Sequence, residues 1–473
     1  MKKLLAVLVA TLLVVTAVVT LAACSSDDGI VVWVGTESEA FYKTIAQEYI
    51  EKYNETHAES FPYKITIKGV DSSTAADAVT NDAAAGPDIF TIPHDNLGKL
   101  TGERPIIAAI TDSELLAQIE ADNPDGYKDV IKANIGGEEH VVAVPYIGQA
   151  LVLYYNKDQI TEDEVKTWEG IMAAAKRVGA NTKATFPMGN DCYNLSLFTL
   201  ARKIDARDAA GNITATSTSV KLYELDAEVA EKENTLKGYL AGTHFTGDDT
   251  MAVYKWAQRF FADPNGGMLI GDDGISTTIT SGQAITLIGG AWKFNDVKAA
   301  WGDKLAVAEL PEFTITEADA YGSITAGTTF KSGTFADCKA LVINGFAAEE
   351  HFEYLQGIVK YFSSKEVQER SFEACQNLPA YKNASTEFAA MQQDTIEAQL
   401  AKMQVAMGSY AIPQPFGYAT LLNNYYYSKG ADTIIQDIIL KRDSANDNVL
   451  AYNTDALLLA GLQRVETIWK TGK

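Results

Sequence analysis

The chain has 473 residues, with 62 acidic side chains against 39 basic ones and a net charge of −23. Such an acidic balance argues against nucleic acid and anionic lipid headgroups as partners, and the length calls for two domains or more rather than one core. The histidines at 57, 94, 140, 244 and 351 are scattered without metal spacing and form no cluster with cysteine, which argues against a zinc site.

The N-terminus is the first informative stretch. Lys2 and Lys3 precede an apolar run from Leu4 to Ala23, which closes as Leu21-Ala22-Ala23-Cys24. A basic start, an apolar stretch and small residues before the cut describe a secretory signal. The cysteine after them resembles the bacterial lipobox, in which Cys24 becomes the lipidated first residue of the mature protein. Residues 1–23 are therefore expected to be a signal peptide and 24–29 a tether, with everything beyond on the outer face of the cytoplasmic membrane. The alternative is an uncleaved anchor, since about 20 apolar residues span a bilayer. Loss of Lys2 and Lys3 takes the net charge from −23 to −25. With Cys24 used as an anchor, Cys192, Cys338 and Cys375 remain, so at least one thiol is unpaired within the chain; Cys338 and Cys375 are the pair that could meet.

Ile30 to Val34 reads as a first buried strand, and Thr36-Glu37-Ser38-Glu39 has the spacing of a capping box. Phe41, Ile45, Tyr49, Ile50 and Tyr53 then recur at helical intervals. Residues 63 to 70 alternate as a half-exposed strand, Thr74 to Ala85 is an alanine-rich helix, and Ile89 to Ile92 is another buried strand. This alternation predicts a parallel sheet with right-handed crossovers. Pro93-His94-Asp95 follows the third strand. A His-Asp pair is two-thirds of a catalytic triad, but neighbours on one loop seldom face each other, and a polar loop carrying a ligand contact or a helix cap is the preferred reading.

Further on, Trp168 to Val178 is helical, Ala184 to Met188 extended and Tyr193 to Ile204 helical, before a polar excursion over 205 to 250. Met251 to Ala262 returns as an amphipathic helix. Ala284 to Ile288 is apolar throughout, runs into Gly289-Gly290, and then presents Trp292 and Phe294. It reads as a strand covered on both faces that stops at a loop, where ligands settle in open α/β sheets. The other reading of Trp292 is a core side chain after a turn. Glu387 to Met407 and Asn423 to Leu440 are helical, with a rigid proline-rich loop carrying Phe416 and Tyr418 between them.

Three stretches in order carry a resemblance. Gly86-Pro87-Asp88-Ile89-Phe90 with His94-Asp95, then Val144-Pro145 with Gln149 to Asp158, then Gly290-Ala291-Trp292 followed by Leu310-Pro311 are similar to the extracellular solute-binding proteins of carbohydrate ABC transporters, close in layout to the maltose-binding type. That resemblance implies a two-lobed α/β fold, each lobe a mostly parallel sheet flanked by helices. The hinge would have two or three segments: Tyr146 to Tyr154, Ala306 to Phe313, and a third near Leu378 to Tyr381. Lobe 1 would hold 29–146 and 314–378, and lobe 2 would hold 147–313 and 379–473.

It also implies a site. Glu37, Asp95, Gln149, Asp191, Tyr193, Trp292, Phe294, Phe416 and Tyr418 stand where the family contacts its ligand. The chemistry suits a sugar, whose C–H faces stack on aromatics while its hydroxyls donate to carboxylates. Ile92 stands where the maltose-binding type has a tryptophan, Ala419 falls near another, and Gln149 lacks the family's charge, so the particular sugar stays open. The expected partners are a carbohydrate, an oligosaccharide such as a maltodextrin, and the permease subunits of an importer, with the chain a monomer, no cofactor and no catalysis. The rivals are a binding protein for another solute, such as a peptide, polyamine or glycerophosphodiester, and a lipid-anchored glycosidase using two carboxylates.

Overall fold

The computed structural model describes residues 29–101, 105–179, 182–187, 192–220, 244–271, 274–382, 384, 395–408, 410–412 and 430–471. In chain order, the strands that position the site begin with β1 (Gly29–Val34), β2 (Lys64–Gly69), β3 (Ile89–Pro93), β4 (Val144–Gln149), β5 (Val152–Asn156) and β6 (Lys183–Pro187). They continue with β7 (Gly267–Ile270), β8 (Ala284–Gly289), β9 (Leu305–Ala308), β10 (Asp337–Ile343) and β11 (Leu378–Pro379).

Two sheets divide these strands. The first has the order β11-β4-β10-β3-β1-β2 and the second β7-β6-β8-β5-β9. In the first, β1 pairs in parallel with β2 and β3, as the strand–helix alternation of residues 29–93 requires. The remaining pairs, β3 with β10, β10 with β4 and β4 with β11, are antiparallel. In the second sheet β6 is parallel to β7 and β8, while β5 is antiparallel to both β8 and β9. Both sheets are therefore mixed rather than mostly parallel. β10 and β5, by which the chain enters the first and second lobes, run against each sheet's parallel set, whereas β4, by which it leaves the first, runs with it.

Each sheet has its own core. Ile30, Val32, Ile89, Phe90, Ile92, Leu341 and Val342 belong to the first. Trp168, Phe186, Trp256, Phe260, Phe313 and Phe330 belong to the second, and β8 is buried along its whole length between two apolar layers. That full burial is why its sequence lacks the alternation of a half-exposed strand.

The hinge differs from the expectation in one segment. The first crossing is the step from β4 to β5 across Ala150 and Leu151, both buried. The expected second crossing at Ala306–Phe313 instead stays in the second lobe. β9 pairs with β5, Phe313 stacks on Trp256 at 4.3 Å between ring centres, and Ile315, Ile324, Phe330 and Phe335 all lie in the second core. Residues 314–335 thus stay with the second lobe, held there by aromatic packing that a boundary drawn at Leu310-Pro311 overlooks. The chain returns at Ser332–Ala336, where Trp168 Nε1 donates to Ser332 Oγ at 2.9 Å and the Leu151 amide donates to Thr334 Oγ1 at 3.1 Å. After β11, Ala380 and Lys382 still bond to Asn123 and Asp122 of the first lobe. Helix Ile396–Gly408 then lies in the second, with Leu400 in a core shared with Leu305 and Val307.

Two local expectations also change. Thr36–Ser38 is a short 3-10 turn, and helix Glu39–Thr56 follows Ser38 without a side-chain cap. The helix expected over Tyr193 to Ile204 ends at Thr199, and Ile204 lies in strand Arg202–Arg207, which forms a hairpin with Ile213–Ser217 and pairs with Thr329–Lys331. This hairpin opens the polar excursion, of which residues 221–243 lie outside the described residues. Cys338 and Cys375 are both free, Cys338 buried and Cys375 half-buried, so the disulfide that could have joined them is not formed.

Candidate functional site

Strand direction places the ligand loops. At the end of β4, Gln149 pairs with Asp337, the first residue of β10. Since β3 runs against β10, its last residue, Pro93, pairs with Lys339 near that same end. β1 is parallel to β3, so the loop carrying Glu37 emerges there too. In the second lobe β5 starts at the crossing, and Gly289 at the end of the antiparallel β8 pairs with Val152. Hence the loops after β1, β3 and β8 all open at the junction of the lobes, the carboxyl-end crevice where α/β sheets hold ligands.

The first lobe brings charge to this crevice. Glu37 Oε1 accepts a hydrogen bond from Lys339 Nζ at 2.9 Å. Burial pushes the Glu37 carboxyl up, but the Lys339 ammonium more than offsets it and the group stays below its ordinary value. Asp95 is half-buried, and burial raises its carboxyl in spite of the nearby His94 and Lys99. His94 itself is fully buried, with Nε2 3.8 Å from Asp337 Oδ1. The Cys338 amide approaches its Nδ1 at 3.4 Å, which suits a neutral ring, whereas the buried carboxylate suits a charged one. In this low-dielectric setting the carboxylate decides. Burial works against the charge, yet Asp337 and Cys338 drive the imidazole up to about 10.

An aromatic surface faces the same crevice from the second lobe. β8 ends at Gly289, Gly290 follows, and Ala291–Lys293 form a short 3-10 turn. Within it Trp292 is 39% exposed, at the end of a strand whose other residues are buried. Tyr154 of β5, fully buried, donates its hydroxyl proton to the Gly290 carbonyl at 2.9 Å and fixes the turn. A side chain at Gly290 would meet the indole ring of Trp292 at 2.0 Å, so the glycine is what lets the ring lie over the backbone. Phe294 is not part of this surface. It is 1% exposed and starts helix Phe294–Trp301, packed with Val152, Leu287 and Val297, because the turn of the helix carries it inward.

Gln149 is half-buried and lines a cavity of about 480 Å³ at the crossings, with Tyr127, Ala150, Ala336, Leu378 and Gln404. A wider groove of about 1360 Å³ runs along β9, lined by Tyr155, Glu309 and Lys331 among others, and takes in none of the predicted site residues. Tyr193 lies in helix Cys192–Thr199 just after β6. Asp191, Phe416, Tyr418 and Cys24 lie outside the described residues. Among the described residues, no cluster of His, Cys, Asp or Glu could hold a metal ion, and no helix is long and apolar enough to cross a membrane.

A family model for bacterial extracellular solute-binding proteins matches residues 48–399. The chain belongs to that family. This solute-binding protein is 24% identical, over 351 residues, to a maltooligosaccharide ABC transporter solute-binding lipoprotein of Streptococcus pneumoniae, covering 72% of this chain and 70% of the relative. A galactooligosaccharide-binding protein of Bacillus subtilis is 22% identical over 342 residues, 70% of this chain and 69% of the relative. Among solved structures, the ligand-free maltodextrin-binding protein of L. casei matches with a TM-score of 0.67 at 16% identity, covering 94% of this chain and 100% of the other. A cyclo/maltodextrin-binding protein complexed with maltotetraose matches with a TM-score of 0.63 at 16% identity, covering 95% and 98%. At such identities the structural likeness speaks for the fold, that of the two-lobed solute-binding proteins.

Sequence reasoning missed Lys339 and the Tyr154 hydroxyl as groups that shape this crevice. The first left a signal: Asp337-Cys338-Lys339 puts two charges at the start of a strand that is otherwise apolar to Ile343. Charges at one end of a buried strand mark the end that meets polar surroundings.

Proposed function

We propose that this solute-binding protein captures an oligosaccharide between its lobes outside the cytoplasmic membrane and delivers it to an ABC importer. The observation that carries the reading is Trp292, an indole held in the open at the mouth of a buried strand, on the crevice that also receives Glu37 and Asp95. A sugar ring has an apolar C–H face for the indole and hydroxyl groups for the carboxylates. Among the described residues the carboxylates come from the first lobe and the indole from the second, so only a closed state gains both, and the ligand draws the lobes together. The substrates of the two relatives, maltooligosaccharide and galactooligosaccharide, support the class. They do not agree on the sugar. Ile92, where the maltose-binding type has a tryptophan, is fully buried in the first core and offers no second platform.

Asp191, Tyr193, Gln149, Phe416 and Tyr418 are proposed to complete the contacts, and Cys24 to carry a lipid that keeps the protein beside its permease. Cys24→Ala should shift the protein from the membrane fraction to the medium or block its processing; unchanged cleavage and fractionation would remove the anchor from the account. The function itself is tested by a thermal-shift screen of residues 25–473 against mono- and oligosaccharides, peptides and polyamines. Stabilisation by at least one oligosaccharide is expected, since a ligand that binds only the folded state raises its melting temperature. A response confined to peptides or polyamines would replace the sugar reading.

A further inference from the structure

We propose that Lys339 is a positioning residue that holds the Glu37 carboxylate ready for the ligand. The inference rests on the reading of Glu37 as a ligand contact. Lys339 sits on β10, the strand that brings the chain back from the second lobe, and is 8% exposed. A lysine this buried is rare without a partner, and its ammonium takes Glu37 Oε1 at 2.9 Å across 302 positions of sequence. The geometry leaves the glutamate little freedom. A side chain at Gly35 would meet the Glu37 carboxylate at 2.4 Å, so the carboxylate lies folded back over that glycine rather than extended into solvent.

β10 grips both ligand loops of the first lobe in this way. Lys339 holds the loop after β1, and Asp337, two residues earlier, holds His94 in the loop after β3, next to Asp95. Because β10 begins at the second crossing, the placement of both loops is tied to the hinge itself. A carboxylate has room for more than one donor. With Lys339 on Oε1, Glu37 stays an ionised acceptor whose second oxygen can take a sugar hydroxyl, without having to find its orientation when the ligand arrives.

Two charges act on Glu37, and two further titratable groups lie near it. Lys339 on β10 favours the ionised form, whereas Asp71 after β2 opposes it. Tyr146 on β4 and Cys375 at the end of helix Lys365–Cys375 are the other titratable neighbours, each of which feels the Glu37 charge. Removing Lys339 leaves burial and Asp71 opposed only by a backbone hydrogen bond to the Glu37 carboxylate. The carboxyl would then move up from where the intact pair holds it, and because a protonated acid no longer accepts in the same way, ligand binding would acquire a pH dependence that the intact pair prevents.

The test uses the mature protein with maltotriose as the probe. For Lys339→Met, Kd should rise roughly tenfold at pH 7, the loss expected for one charge-assisted hydrogen bond, and rise further as pH falls toward 5. Lys339→Arg should restore both the affinity and the flat profile. A folded Lys339→Met protein that binds like the wild type at every pH overturns the proposal. Should that variant fail to fold, carboxyl carbon-13 titration of Glu37 in the wild type decides. A midpoint below the ordinary glutamate value supports the pair, and one at or above it overturns the pair. If the wild type ignores maltotriose, that sugar falls from the functional reading while the same titration still judges the role of Lys339.

Discussion

The two sides of the crevice are built from different materials. On the first lobe, Glu37, Asp95, His94, Asp337 and Lys339 lie within a few residues of three strand ends, and their positions are set by ion pairs and buried charge. On the second, among the described residues, an indole stands over a glycine, and the turn that carries it is fixed by packing and by the hydrogen bond from Tyr154 to the Gly290 carbonyl. Under the proposed function the described part of the crevice is divided by chemistry: the carboxylates of one lobe take hydroxyl groups and the indole of the other takes the apolar ring face. The division also separates how each side should fail, the first through protonation and the second through packing.

The largest effect should come from the packed side. Phe294→Ala removes a fully buried ring two residues from Trp292 and should cost about 3–5 kcal/mol of stability, measured by urea unfolding without ligand. A loss under about 1 kcal/mol would place Phe294 in the crevice after all.

Next in size is the charged side's response to alkali. His94 is raised from 6.5 to about 10 by its surroundings, so the stability it contributes is fully present below about pH 6.5 and is lost as pH climbs through 10. Unfolding curves at pH 6, 8 and 10 should show the wild type losing stability that His94→Gln, with no proton to lose, never had. Parallel curves for the two proteins would mean that the buried ring is neutral throughout, as the amide of Cys338 would prefer.

A smaller effect should follow from Gly290→Ala. The new methyl group meets the far edge of the Trp292 ring, which can swing aside, so folding should hardly change while affinity falls by less than in Trp292→Ala. Equal losses in the two variants would indicate that the indole has no alternative resting place.

Much of this division was legible in the residues, and the reasons differ by region. β8 could be read because a strand buried on both faces is a continuous apolar run, and the glycines and Trp292 after it mark its open end. Glu37 and Asp95 are proposed from the family resemblance, not from any property of a lone carboxylate. Phe294 was misplaced because spacing of two suggests a shared surface in extended chain, while here the backbone turns into a helix between the two aromatics. The return crossing was misplaced for another reason. Leu310-Pro311 looks like a break, yet Phe313 and Phe330 keep the chain packed with Trp256 for some twenty residues more, a long-range contact that no local pattern records. Lys339 stayed hidden because its partner is 302 positions away.

The central claim is that Trp292 is the platform of an oligosaccharide site. Calorimetric titration of the mature protein with maltodextrins and galactooligosaccharides, repeated with Trp292→Ala, addresses it most directly. At least one oligosaccharide should bind the wild type, and the variant should bind it tenfold or more weakly, about 1.4 kcal/mol, with an unchanged melting temperature in the absence of sugar. Equal affinity in both proteins, or a variant that is strongly destabilised without sugar, would contradict the claim and return Trp292 to the core.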